Sequence, residues 1–158
     1  MRAVLQRVAR ASVTVDQQIV GSIQKGVCVL VGIGTDDTEK DVDYIINKIL
    51  NIRVFDDDQG VMWKKGVKDL GLEVLCVSQF TLQGKTIKGN KPDFHNAMKT
   101  DQAKAMYEKF LLKLGQAYDP TKIQDGKFGA MMVVDIANDG PVTLQLDSRK
   151  FTYNDTTG

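Results

Sequence analysis

Four short β-type segments occupy the first 33 residues with no helix between them. Ala3 to Val8, Ser12 to Val15, Gln18 to Ile23 and Val27 to Ile33 alternate or cluster β-branched residues, and Asp16 and Gly26 are among the breakers between them. A parallel neighbour needs a crossover of a dozen or more residues, whereas an antiparallel one needs only a turn. This spacing therefore argues against a doubly wound α/β fold. It predicts a single α+β domain with a largely antiparallel, curved sheet and two main helices. Thr38 is expected to cap the first helix, whose Val42, Ile45, Ile46, Ile49 and Leu50 form one apolar stripe. Asp101 opens the second, with Ala103, Met106, Tyr107, Phe110, Leu111 and Leu114 in helical register. Glu73 to Leu82 reads as a buried strand. Phe128 to Ile136 and Val142 to Leu146 are expected to close the sheet as a strand pair around the turn Asn138-Asp139-Gly140-Pro141.

A chain of 158 residues suits one domain. No repeat, low-complexity tract or linker divides it, so residues 1–148 are read as the domain. The last ten residues, RKFTYNDTTG, lack a periodic apolar pattern and are expected to fray. Arg2, Gln6, Arg7 and Arg10 interrupt the apolar N-terminus, which leaves no signal-peptide core, and no later stretch approaches a membrane span. Cys28 and Cys76 each sit in an apolar run and read as buried reduced thiols, so a cytoplasmic location is expected. The formal net charge is only +1, from 21 basic and 20 acidic residues. A protein that coats long nucleic acid carries a large basic excess. Any nucleic-acid contact here should be local, such as one end or one nucleotide.

His95 is the only histidine, and together with Cys28 and Cys76 it fits no zinc-ligand spacing, so no metal is expected. A Ser-His-Asp arrangement would have to use His95 as its base, but Pro92-Asp93-Phe94 before it point to a capping or surface role. Gly32-Ile33-Gly34 is too short for a phosphate loop, and Asp56-Asp57-Asp58-Gln59-Gly60 lacks the later glutamate of a calcium loop.

Two segments are poorly explained by local structure, and a lysine-rich loop lies between them. Ser78-Gln79-Phe80-Thr81-Leu82 places polar side chains at the end of an apolar strand. They either bond neighbouring backbone or face a pocket. Asn138-Asp139-Gly140-Pro141-Val142-Thr143 reads first as a hairpin turn, although a Gly-Pro pair adopts a cis bond at modest cost. Between them, Gly84 to His95 carries three lysines and two glycines, a composition that suits either a solvated loop or one approaching phosphates.

Taken together, SQFTL at 78–82, KGNKPDFH at 88–95, DGKFGAMM at 125–132 and NDGPVT at 138–143 resemble the D-aminoacyl-tRNA deacylase family, historically called D-tyrosyl-tRNA deacylases. The resemblance runs from MRAVLQRVARASVTV to GPVTLQLDS and leaves out only the tail. It implies a homodimer acting on the 3′ end of aminoacyl-tRNA, with no metal or organic cofactor. Ser78, Gln79, Phe80 and Thr81 would line the catalytic pocket. Gly140-Pro141, in cis, would reach into the partner's pocket and exclude L side chains, with Arg7 holding the turn. Phe128, Gly129 and Met132 would lie near the terminal adenosine.

Such chemistry needs no histidine. An aminoacyl ester is already activated, so its hydrolysis depends on positioning and oxyanion stabilisation more than on a strong nucleophile. Two other classes remain open to the sequence. One is a non-catalytic RNA- or nucleotide-binding domain using the same pocket. The other is a general esterase, against which the missing G-x-S-x-G elbow counts.

Overall fold

A computed structural model describes residues 1–152. Its strands and helices run β1 (Arg2–Val15), β2 (Gln18–Ile23), β3 (Gly26–Gly32), α1 (Glu39–Asn51), β4 (Glu73–Ser78), α2 (Thr100–Ala117), β5 (Ile123–Asp125) and β6 (Val133–Asp147). The sheet is organised around β1. One side of β1 pairs antiparallel with β6, from Arg2 opposite Asp147 to Thr14 opposite Val133. Its other side pairs antiparallel with β3 over Arg2–Val8 and with β2 over Ala11–Val15. Beyond β3 the sheet turns parallel, β3 to β4 and β4 to β5. The connections carrying α1 and α2 supply the crossovers that parallel neighbours require. The α+β class, the curvature, the two helices and the single domain all match expectation, and the sheet is mixed.

Two local expectations need correction. The runs at Ala3–Val8 and Ser12–Val15 form one 14-residue strand. Likewise, the closing segments do not pair with each other. Residues 133–136 and 142–146 both belong to the 15-residue β6 and both pair with β1, whereas residues 128–132, expected as strand, precede it as a turn. The pairing steps from Gln6–Thr143 to Val8–Asn138, so residues 139–142 bulge out opposite Arg7 instead of reversing the chain. A strand as long as β1 offers backbone partners to both halves of β6 at once, which a turn-forming sequence alone cannot reveal. The irregular pairing about Val8 also twists β1. Ala3 and Leu5 face the helical layer, while Ala11, Val13 and Val15 face the interior of the curve.

Two apolar clusters result. The larger packs β1, β3 and β4 against α1 and α2, and the smaller fills the concave side. β3 and β4 are covered on both faces, with Val27, Val29 and Val31 in one cluster and Cys28 in the other. Their sequences therefore read as unbroken apolar runs. Both cysteines are free and buried, and burial pushes the Cys28 thiol up to about 12. All five stripe residues of α1 are buried. Each contributes about 1.5–3 kcal/mol by leaving water. Packing, more than propensity, holds the helix in place. Among the described residues, no helix is long and apolar enough to cross a membrane.

Polar contacts tie the chain ends to α1. The Thr38 N–H donates to Asp41 Oδ2 at 2.8 Å. Asp41 Oδ1 accepts from Ser148 Oγ at 2.7 Å and from Arg149 Nε at 3.1 Å. Burial pushes the Asp41 carboxyl up, but the hydrogen bonds from Arg149, Ser148 and Thr38 outweigh it and hold the group well below the usual carboxylate range. The α-ammonium of Met1 donates to Asp37 at 2.7 Å and to Ser148 at 2.8 Å. Arg149 heads the segment expected to fray, yet it is bound to Asp36 and Asp41; residues 153–158 of that segment lie outside the described residues.

The curve nearly closes where β2 lies on β5. A Cβ added to Gly21 would stand 2.1 Å from the Asp125 carbonyl oxygen, so only glycine permits this approach. Gly21→Ala should therefore cost about 1–3 kcal/mol of stability, the usual range for forced overpacking. Urea unfolding measures this, and an unchanged midpoint would mean that β2 and β5 do not touch.

Candidate functional site

At the end of β4 the chain leaves the sheet. The Gln79 N–H still donates to Val31 O at 2.8 Å, but the backbone then folds into one 3-10 turn over Phe80–Gln83. The strand expected to reach Leu82 thus stops at Ser78. The physical cause is polar. The Gln83 amide is buried and donates to Gly32 O at 2.9 Å, and Arg2 Nη1 donates to Leu82 O at 3.2 Å. The turn therefore docks on the end of β3 and no longer extends the ladder.

The turn forms one wall of a cleft of about 610 Å³. Ser78, Gln79 and Phe80 line this wall, the start of α2 at Thr100 and Ala103 lines a second, and Phe128, Gly129 and Met132 line a third. Met132 and Val134 also pack on the concave core, which gives the cleft an apolar floor. Thr81 is not among the lining residues. It sits on the exposed turn, and its Oγ1 accepts a hydrogen bond from Gln79 Nε2. A neutral amide donor cannot take a proton from that hydroxyl.

Phe128 is positioned from behind. Its ring lies against Tyr107 at 5.8 Å, and the buried Tyr107 hydroxyl donates to Asp125 Oδ1 at 2.7 Å. Burial and the Asp125 charge both raise the Tyr107 pKa well above its ordinary value, so the hydroxyl stays a donor. Asp125 closes β5 and opens the segment Gly126-Lys127-Phe128, which links sheet, helix and cleft wall.

Gly140-Pro141 is a cis bond and lies on the surface, outside this cleft. Its surroundings are firmly braced. Arg7 Nε lies 3.2 Å from Asp139 Oδ2, and Arg7 Nη1 donates to Val54 O at 2.7 Å. Asn138 Nδ2 donates to Arg7 O at 3.0 Å and to Val142 O at 3.1 Å, and Thr143 donates back to Asn138 Oδ1 at 3.1 Å. Gly140 has φ +114, and a Cβ there would meet Arg7 Nη2 at 2.9 Å, so both backbone and space select glycine.

Sequence reasoning missed part of the cleft. Phe94 packs edge-on against Phe80 at 5.1 Å. Met98 N–H donates to Ile33 O at 3.0 Å, which brings Ile33 and the residues before α2 to the rim. A non-periodic loop carries no pattern from which such contacts can be read. His95 is 93% exposed and bonds Asp93, a turn contact and not a catalytic one. Among the described residues, no group of three His, Cys, Asp or Glu could hold a metal ion.

A family model described as D-Tyr-tRNA(Tyr) deacylase matches residues 4–147. The chain is 60% identical to the D-aminoacyl-tRNA deacylase of Drosophila melanogaster, covering 94% of this chain and 92% of that one. It is 55% identical to human D-aminoacyl-tRNA deacylase 1, covering 94% of this chain and 70% of that one. A solved structure named c-Myc DNA unwinding element binding protein superposes with TM-score 0.90 at 55% identity, over 93% of this chain and 98% of that one. A second, described as a probable eukaryotic D-amino acid tRNA deacylase, superposes with TM-score 0.80 at 19% identity and speaks for the fold alone. With the family model spanning nearly the whole chain and relatives this similar on either side of it, the chain belongs to the D-Tyr-tRNA(Tyr) deacylase family.

Proposed function

We propose that the cleft is the active site of a D-aminoacyl-tRNA deacylase. It hydrolyses the ester joining a D-amino acid to the 3′-terminal adenosine of tRNA, a chiral proofreading step in translation. Family membership supports the hydrolase class. One observation carries the site: Ser78, Gln79 and Phe80 meet Phe128, Gly129 and Met132 in a single cleft, although some 50 residues of sequence separate the two groups. The terminal adenosine rests near Phe128 and Met132, and the ester lies against the Ser78–Thr81 wall. Water attacks the ester carbonyl, helped by the substrate's own ribose 2′-hydroxyl. Backbone N–H groups of Phe80 and Thr81, which begin the 3-10 turn and so lack partners within it, stabilise the oxyanion. Collapse of the tetrahedral intermediate releases the free D-amino acid and the 3′-hydroxyl. No metal or organic cofactor takes part in this scheme.

Thr81 as nucleophile ranks second, because its hydroxyl oxygen receives an N–H from Gln79 and no base stands beside it. Thr81→Ala should therefore cost about 10- to 100-fold in the single-turnover rate, as for a lost positioning contact. Complete loss with an intact fold, or a trapped acyl-Thr81, would restore the nucleophile.

The Gly140-Pro141 turn is pinned to the surface outside its own cleft, which supports a site completed by a second copy of the chain. Sedimentation equilibrium should then give about twice the 17.5 kDa chain mass. A monomer that still deacylates would end the shared-site reading.

Chirality follows by exclusion. D and L amino acids exchange side chain and hydrogen at the α-carbon. With the amino group and ester held, an L side chain must point where a D residue presents only hydrogen. Braced main-chain atoms of the partner's turn at that point reject every L residue and leave D side chains free. Glycine has nothing to exclude. D-tyrosyl- and glycyl-tRNA should both be cleaved while L-tyrosyl-tRNA survives in parallel release assays. Refusal of the glycyl ester would show positive recognition of the D side chain instead. Absence of any turnover would favour a non-catalytic RNA- or nucleotide-binding role for the same cleft.

A further inference from the structure

Residues 84–95 leave the cleft wall as a hairpin arm. Lys85 and Asp93 exchange backbone hydrogen bonds of 2.8 and 2.9 Å, and the next residue, Phe94, packs edge-on against Phe80. The base of the arm is thereby fixed to the wall that carries Ser78 and Gln79, and residues 86–92 at its tip are exposed. Charge is concentrated here. Gly84 to Lys99 holds Lys85, Lys88, Lys91 and Lys99 against one acid, Asp93, in a chain whose whole formal charge is +1. Asp93 accepts the His95 backbone N–H at 2.8 Å and lies close enough to Lys85 to feel its charge. Lys99 lines the cleft itself, and exposed Lys127 adjoins Phe128 on the opposite wall. Five lysines, Lys85, Lys88, Lys91, Lys99 and Lys127, thus stand on the arm or beside the cleft walls.

We propose that this arm binds the phosphate backbone of the single-stranded end of the tRNA, next to the nucleotide that enters the cleft. The inference rests on the deacylase reading given above. From the Lys85 bridge, three residues of chain reach at most about 10 Å. A stacked strand advances about 3.4 Å per nucleotide. Lys88 and Lys91 thus meet phosphates within the first few nucleotides from the end. Lysine is a compact point charge without the fork that reads base edges, so the arm supplies affinity and register but no sequence choice. It also reconciles a nearly neutral chain with a nucleic-acid substrate.

The test compares wild type with a Lys88→Gln/Lys91→Gln pair and a Lys88→Arg/Lys91→Arg pair. Binding of uncharged tRNA is measured across a salt series, alongside turnover of D-tyrosyl-tRNA and of D-tyrosyl-adenosine, which has no phosphate. In the Gln pair, Kd for tRNA and KM for D-tyrosyl-tRNA should rise about 10-fold. The slope of log affinity against log salt should become shallower by about 1.4, from about 0.7 per single-strand phosphate contact. The Arg pair should bind like wild type, and D-tyrosyl-adenosine should be cleaved alike by all three. An unchanged Kd and salt slope in the Gln pair would overturn the proposal. So would an equal loss on D-tyrosyl-adenosine, which would place these lysines in the chemistry or the fold. If wild type cleaves neither ester, the deacylase reading falls, while the tRNA binding comparison still decides the arm.

Discussion

The pairing of β1 on both of its sides is the constraint from which the rest of the molecule follows. Its 14 residues bond β6 along one side and share the other between β3 and β2. Every other strand is placed by contact with β1 or with a neighbour of β1. Because β2 takes only the distal half of β1 and β3 only the proximal half, the sheet must coil, and its concave side becomes a second core. The loss of regular pairing about Val8 accompanies this coiling.

The same geometry sets the positions of the cleft and of the braced turn. β4 runs parallel to β3 and ends where its ladder meets the docked turn at Gln83, which opens a cleft at the strand's carboxyl end. β6 must accommodate more residues than β1 offers, and it expels residues 139–142 at Arg7. Arg7 then braces the expelled segment through Asp139 and Val54. The braced turn thus arises at the middle of β1, opposite Arg7, and none of its residues lines the cleft of its own chain. In the proposed dimer, the turn of one copy would complete the cleft of the other.

The site uses few ionisable groups. The cysteines are buried and their thiols are pushed up by burial, the one histidine is exposed, and Tyr107 is held as a donor behind Phe128. Such a set suits a reaction whose substrate is already activated, where main-chain dipoles and exclusion do more than proton transfer.

Much of this was legible in the residues. Both helices, most of the strand-forming runs, the α1 stripe, the Thr38 start and the burial of both thiols follow from periodicity and capping, because those depend on neighbours a few positions away, whereas the three-residue β5 was not foreseen. The SQFTL, DGKFGAMM and NDGPVT segments stood out because polar or turn-forming residues interrupt apolar runs there. Three features were decided only by the tertiary structure. The joining of two runs into β6 depends on a continuous partner strand more than 100 residues earlier in the chain. The early end of β4 depends on Gln83 finding Gly32 O across 51 positions. The approach of Phe94 and Ile33 to the cleft depends on loop contacts without period. Local sequence sets which backbone states are cheap, whereas these outcomes were set by hydrogen-bond partners and contacts that exist only once distant segments have met.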